Sequence, residues 1–259
     1  MKNKSILWII IGWMYVGMSQ AQPICKDITQ IRVFVNPVLF NSLKIKSEGE
    51  KSLKTAPTFS FEVGVGLQQR LYKNLSVVAD AGYMFHPYTF HFDFDVPSQI
   101  EGKSFDKESH KDRIYFFHAW LFPLSLKYET FLDKKVNYFV DIGIQFNVLL
   151  PKIEGMFTYT YLRDTSNADF NMCIEHIGKR CYTSGFIKFG LLFHTKKYHS
   201  FGVSLIAKYC PSDVYNGSYE FSNFSFADNK GKVSSKINYI GLELSCGITV
   251  YKQTMPLSP

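Results

Sequence analysis

Beyond its first 21 residues the chain has no apolar run of about 18 residues, so it contains no segment able to cross a bilayer as a helix. Cysteine is scarce. There are 5 in 259 residues, an odd number, and no two stand at C-x-x-C spacing, so neither a zinc site nor dithiol redox chemistry is supported. The formal charge is +7, but the lysines are scattered. Without a basic stripe to track a phosphate backbone, no nucleic-acid partner is expected. No serine stands in a motif resembling a barrel lipase, no nucleophile can be named, and no cofactor is expected.

What is present begins with a targeting segment. Lys2 and Lys4 precede a short apolar core at residues 6–16, and Ser19-Gln20-Ala21 is a small-x-small cleavage site. Residues 1–21 read as a cleaved signal peptide and residues 22–259 as one domain. Removing Lys2 and Lys4 lowers the formal charge from +7 to +5. Cys25 does not directly follow the cleavage site, so this is not the arrangement of a lipoprotein.

Residues 136–150 set the pattern for the rest. Val136, Tyr138, Val140, Ile142, Ile144, Phe146, Val148 and Leu150 form one set; Asn137, Phe139, Asp141, Gly143, Gln145, Asn147 and Leu149 form the other. This period of two makes a β-strand with unlike faces. It exceeds the roughly 9–11 residues that a tilted strand needs to cross a bilayer. Similar alternation occurs at residues 58–71, from 75 onward, 114–130, 184–195, 201–209 and 236–251. It is less regular at 31–46, where Pro37 intervenes. At Pro87 the phase flips, which reads as a bulge or the end of the spanning part. Connections alternate between long polar loops (47–55, 97–113, 152–183, 212–235) and short turns (72–74, 133–135, 196–198). The pattern predicts an all-β, eight-stranded antiparallel transmembrane β-barrel with short periplasmic turns and longer extracellular loops in the cell outer membrane.

A lipocalin-like soluble binding barrel has a similar strand number but the opposite faces. The polar face decides between them. It carries Gly64, Gly66, Gly82, Gly143, Gly190, Gly202, Gly241 and Gly247, which suit a crowded lumen better than an exposed strand. It also carries both charge signs: Glu62, Asp80, Glu129, Asp141 and Glu243 against Lys127, Lys188 and Lys208. An eight-strand interior is just wide enough for side chains to fill, so these eight residues are expected to pair as a lumen network. On the apolar face, aromatics mark both ends, with Tyr128, Tyr138 and Phe201 near the short turns and Tyr83, Phe85, Trp120 and Tyr209 near the long loops.

In residues 120–150, Pro123, Leu124, Leu126, Lys127 and Tyr128 run into a short turn, and Tyr138, Gly143 and Asn147 follow on the next strand. This hairpin resembles the Bacteroidetes outer-membrane β-barrel family that includes the PorT-like proteins. Gln22 after the Ala21 cleavage residue also resembles that phylum's secreted proteins. The resemblance implies the fold and compartment, and a link to protein secretion across the outer membrane.

Three regions are candidates for chemistry or contact. His86 and His91 stand near Asp93 and Asp95 as an acid/base set on paper, though such alternation is ordinary polar surface. The lumen charges suit either a small pore or, at this strand number, an internal salt-bridge filling. The loops carry Met156, Phe157, Tyr159, Tyr161, Phe221, Phe224 and Phe226, and Cys173 and Cys181 are close enough in sequence to form a disulfide. Loop aromatics suit protein contact. The expected role is non-catalytic, structural or interactive, as an accessory to secretion or surface assembly. The expected partners are outer-membrane lipid, the barrel-assembly machinery during insertion and a protein met by the extracellular loops. The alternatives are an outer-membrane enzyme acting on lipid or peptide, a small pore, and the soluble lipocalin-like barrel.

Overall fold

The computed structural model describes residues 28–48, 53–72, 74–94, 108–131, 135–150, 155–163, 166–176, 180–195, 199–222 and 229–252. Residues 1–21, expected to be a signal peptide, and parts of the short turns lie outside them. In chain order the strands are β1 (Ile28–Phe40), β2 (Lys44–Ser47), β3 (Leu53–Thr55), β4 (Thr58–Arg70), β5 (Leu75–Phe94), β6 (Glu108–Phe131) and β7 (Val136–Leu149). They continue as β8 (Gly155–Arg163), β9 (Ser166–His176), β10 (Cys181–His194), β11 (His199–Tyr209), β12 (Tyr215–Ser222), β13 (Asn229–Ser235) and β14 (Tyr239–Lys252).

Eight of these close a ring. β1 pairs with β4 on one side and β14 on the other, and β5–β6 pairing joins the ends of the sheet. Every pairing is antiparallel. Ile28 lies opposite Lys252, so the first and last strands meet at the short-turn end. At residues 71–75 the backbone folds back through bonds from the Leu71 and Tyr72 amides to the Leu75 carbonyl.

The faces are those of a membrane barrel. Along β7, Asn137, Phe139, Asp141, Gln145 and Asn147 point in and are buried, while Ile142, Ile144 and Phe146 point out at 45–49% exposure. The same holds for Phe122, Leu124 and Leu126 on β6 and Leu242, Leu244 and Ile248 on β14. A continuous apolar outer wall around a charged interior cannot face water without exposing far more hydrophobic surface than soluble monomers do. The lipocalin-like reading, which needs an apolar inside, is therefore wrong. Near the long-loop end Tyr83, Phe85, His118 and Trp120 interlock, with ring centroids 4.8–5.6 Å apart. Tyr128, Tyr138 and Phe201 are exposed near the short turns.

The segments expected as polar loops are largely strands. β2, β13, β12, β9 and β8 form a second sheet in that order. Each continues the wall beyond β1, β14, β11, β10 or β7. β5 and β6 run on to Phe94 and from Glu108, and β3 adds to β5. This outer wall reads as loop because its segments are short and polar overall, although alternation is present in it: on β12 Tyr215 and Tyr219 are buried while Asn216, Ser218 and Glu220 are exposed. The register slips between His86 and Pro87, the bulge that the phase flip predicts: proline has no N–H to give the ladder.

Phe34 shows how the narrow interior is packed. Gly64 and Gly82 are paired across β4 and β5, and the Phe34 ring lies over both. A Cβ at Gly64 would run into that ring and approach the Ala81 carbonyl oxygen to 2.6 Å. Gly64→Val is expected to destabilise the barrel by about 1–3 kcal/mol through overpacking, with Phe34→Leu in the same chain restoring part of the loss. The temperature at which the compact, unboiled gel species converts to the unfolded one measures this.

Candidate functional site

All eight charged residues singled out from alternation point into the barrel, and none exposes more than 7% of its surface. They are joined by Arg32 on β1 and Arg70 at the end of β4, so five cations face five carboxylates among the described residues. They lie in three tiers.

Nearest the short turns, Glu129 takes Lys127 at 3.2 Å and Arg70 at 3.3 Å. The Gln68 amide donates to Glu129 at 3.0 Å, and Lys127 donates to the Gln68 oxygen at 3.2 Å. Lys127 also lies 4.4 Å from the Phe139 ring centroid. In the middle tier Glu243 bridges two cations, Arg32 at 2.7 Å and Lys188 at 2.6 Å. Arg32 reaches Asp80 at 3.6 Å and Lys188 reaches Asp141 at 3.8 Å. Nearest the outside, Glu62 accepts from the Tyr239 hydroxyl at 2.7 Å and from Asn36 at 3.2 Å, with Lys208 at 3.8 Å. Lys208 donates to the Asn147 oxygen at 3.1 Å, which also accepts from Gln145 at 2.7 Å.

Strand register explains the tiers. Lys127 and Lys188 are the cross-strand neighbours of Asp141 on either side, so one carboxylate sits between two lysines. Gly66 lies between Arg32 and Asp80 in the ladder. A Cβ at Gly66 would occupy the space of the Asp80 carboxylate, so the glycine lets that side chain fold toward the guanidinium. The middle tier holds three carboxylates and two cations and the inner tier two cations and one carboxylate; they balance across the Lys127–Asp141 pair.

Such a set is an internal scaffold. Moving an ion from water into protein costs several kcal/mol, recovered only where partners and hydrogen bonds are in place. Most of these groups have both. The exceptions are Asp80, which has its ion contact to Arg32 but an Oδ1 that accepts no hydrogen bond, and Asp141, fully buried, whose two oxygens accept none. Among the described residues no three His, Cys, Asp or Glu side chains gather in a way that could hold a metal ion.

Alternation placed Gln68 and Asn137 on the inward face without a role in the network; the residues missed from sequence are Arg32, Asn36, Arg70 and Tyr239. Arg70 and Gln68 continue the alternation Glu62-Gly64-Gly66 and were legible there. Arg32 and Asn36 share a face on β1, where Pro37 obscures the period. Tyr239 stands two residues before Gly241 on the inward set of β14, so its direction was legible, but an aromatic is not a residue type that marks a charge network. The backbone at His86, His91 and Asp93 belongs to the outer part of β5, and Asp95 lies outside the described residues. The expected disulfide is not formed: no bond joins Cys173 to Cys181. Cys173 lies in the outer sheet opposite Met156 and Ser218, whereas Cys181 starts a barrel strand opposite Val148. Closeness in sequence along a rising wall does not bring the sulfurs together.

Solved structures of bacterial outer-membrane proteins are similar in overall shape. OprG from Pseudomonas aeruginosa is 13% identical over 87% of this chain and 96% of its own, with a TM-score of 0.48. A major outer membrane protein from Thermus thermophilus is 10% identical over 85% and 98%, with a TM-score of 0.39. AlkL, determined in DMPC bilayers, is 12% identical over 90% and 93%, with a TM-score of 0.40. No family model matches the chain, and no curated protein matches its sequence. At these identities the likeness is one of shape alone, and nothing about activity follows from it.

Proposed function

We propose that the chain is a non-catalytic, non-conducting barrel of the cell outer membrane that carries an extracellular β-wall as a surface for another protein. The observation that supports this most is the filled lumen. An open, water-wide channel would leave its wall side chains accessible, whereas the charged side chains of the middle tier are buried to the last tenth. All five carboxylates of the network are committed to cations, which leaves them no free acid/base role. The wall, in contrast, goes to some length to continue outward, with five extra strands in one sheet and β3 added beside β5. In this reading the barrel is an anchor and the exposed wall is the working part.

Residues 1–21 act as the cleaved signal, and insertion runs through the barrel-assembly machinery into lipid. The resemblance of residues 120–150 to PorT-like proteins supports a partner in secretion or surface assembly.

The direct test of the non-conducting part is the purified, refolded chain in planar bilayers. No stepwise conductance is expected, with or without an applied potential; a persistent ohmic conductance in the folded protein overturns the reading and supports a pore. For the contact surface, replacing residues 155–176 by a short turn should leave heat-modifiable mobility intact while abolishing crosslinks to a surface partner in intact cells. Unchanged crosslinking places the contact elsewhere.

A further inference from the structure

Among the described residues the lipid-facing wall has a recess over the seam where the first and last strands meet. Its floor is made by Pro37 on β1, Gly241 on β14 and Ala207 on β11, and its sides by Phe59, Phe189 and Ile240; it is an open depression of about 510 Å³. The sides stand well out, Phe59 at 66% and Ile240 at 61% exposure, so the recess is bounded by large side chains and floored by small ones. Pro37 is part of its cause. The β1–β14 ladder runs through Val35–Leu244 and resumes at Val38–Gly241, omitting the two positions between. A proline offers the neighbouring strand no N–H, and the wall loses its ladder there.

The recess sits in the outer half of the barrel, because Phe59 and Ile240 are each one residue from the outer end of their strands. Directly above it along β11, Ala207 is followed by outward-facing Tyr209, one strand step of about 7 Å further. Above Tyr209 stands Lys236, its ammonium 5.8 Å from the ring centroid. One ammonium donor goes to the Pro211 carbonyl at 2.7 Å; an ammonium has three. The chain leaves β13 through Ile237 at a φ of 54°, a conformation that a β-branched residue rarely adopts. Ile237 is buried and its N–H donates to Ser235 Oγ at 3.2 Å, so the bend that places Lys236 on the outside is held from within. From the membrane outward the order is apolar recess, interfacial aromatic, cation.

We propose that this is a binding site for a phosphate-bearing lipid of the outer leaflet, with one acyl chain lying in the recess and the phosphate on Lys236. The recess matches a flexible hydrocarbon chain, since its lining is almost wholly apolar, and the lysine supplies the charge that an uncharged lipid would not need.

The full folded chain in detergent micelles, incubated with phosphatidylglycerol or with diacylglycerol of the same chains, is examined by native mass spectrometry. A one-to-one adduct is expected with phosphatidylglycerol and not with diacylglycerol. Lys236→Glu should weaken the adduct about tenfold or more, as for loss of one charge-assisted hydrogen bond. Ala207→Trp, which fills the floor, should remove it, while Leu126→Trp, on the far side of the lipid face, should leave it. Unboiled gel mobility establishes that each variant is folded. Equal retention of both lipids, no retention of either by the wild type, or adducts unchanged in Lys236→Glu and Ala207→Trp overturns the proposal. None of these outcomes bears on conductance or the outer contact surface.

Discussion

Glu243→Ala is expected to destabilise the folded barrel by about 3–5 kcal/mol, because it leaves two buried cations without their shared carboxylate. Arg32 and Lys188 hold Glu243 at 2.7 and 2.6 Å, in a tier closed to solvent. Neither cation can be rehydrated without opening the barrel. Urea unfolding in micelles, followed by loss of the compact gel species, measures the effect. The combined change Arg32→Met, Asp80→Asn and Glu243→Leu should cost less than Glu243→Ala alone, since it removes the cation together with both of its carboxylates and leaves Lys188 to Asp141. Asp141→Asn should cost less than Glu243→Ala, as Asp141 has only a 3.8 Å ion contact and no hydrogen bond to lose. A Glu243→Ala loss below about 1 kcal/mol, the range of exposed ion pairs, would mean that the lumen is wet and that the network is not the filling described.

The second large effect lies on the other face. Ile142 is midway along β7 and points outward, so Ile142→Arg puts a charge near the middle of the hydrocarbon. A loss of about 2–4 kcal/mol is expected, against about 0–1 for Tyr138→Arg near the interface. Folding titrations in vesicles compare the two. The gradient with depth is the diagnostic part. In a barrel whose exterior met water both changes would be nearly neutral, and equal small effects would remove the membrane assignment.

Alternation on β4, β6, β7, β10, β11 and β14 is legible because each strand meets two unlike media, lipid outside and a charged lumen inside. A period of two records that contrast directly. It therefore identifies Glu62, Lys127, Asp141, Lys188 and Glu243 as inward-facing without any knowledge of the fold. The outer strands are shorter and more polar overall and read as loops, although alternation such as Tyr215 and Tyr219 against Asn216, Ser218 and Glu220 was there to be read and hydrogen bonding makes them continuous wall.

Sequence alone determined the number of barrel strands, the inside-out polarity and eight of the ten charged residues of the lumen, since these follow from local alternation and from turn length. Only the tertiary structure decided which charges meet. Glu243 is 211 residues from Arg32 and 55 from Lys188, and ring closure with its stagger brings the three together. Closure also sets Pro37 against Gly241 to leave a recess at the seam. The wall that runs on from β10 into β9 puts Cys173 and Cys181 on different strands, although they are near in sequence. Partners across a barrel are chosen by register and shear, which are properties of the whole sheet, and no single strand carries them.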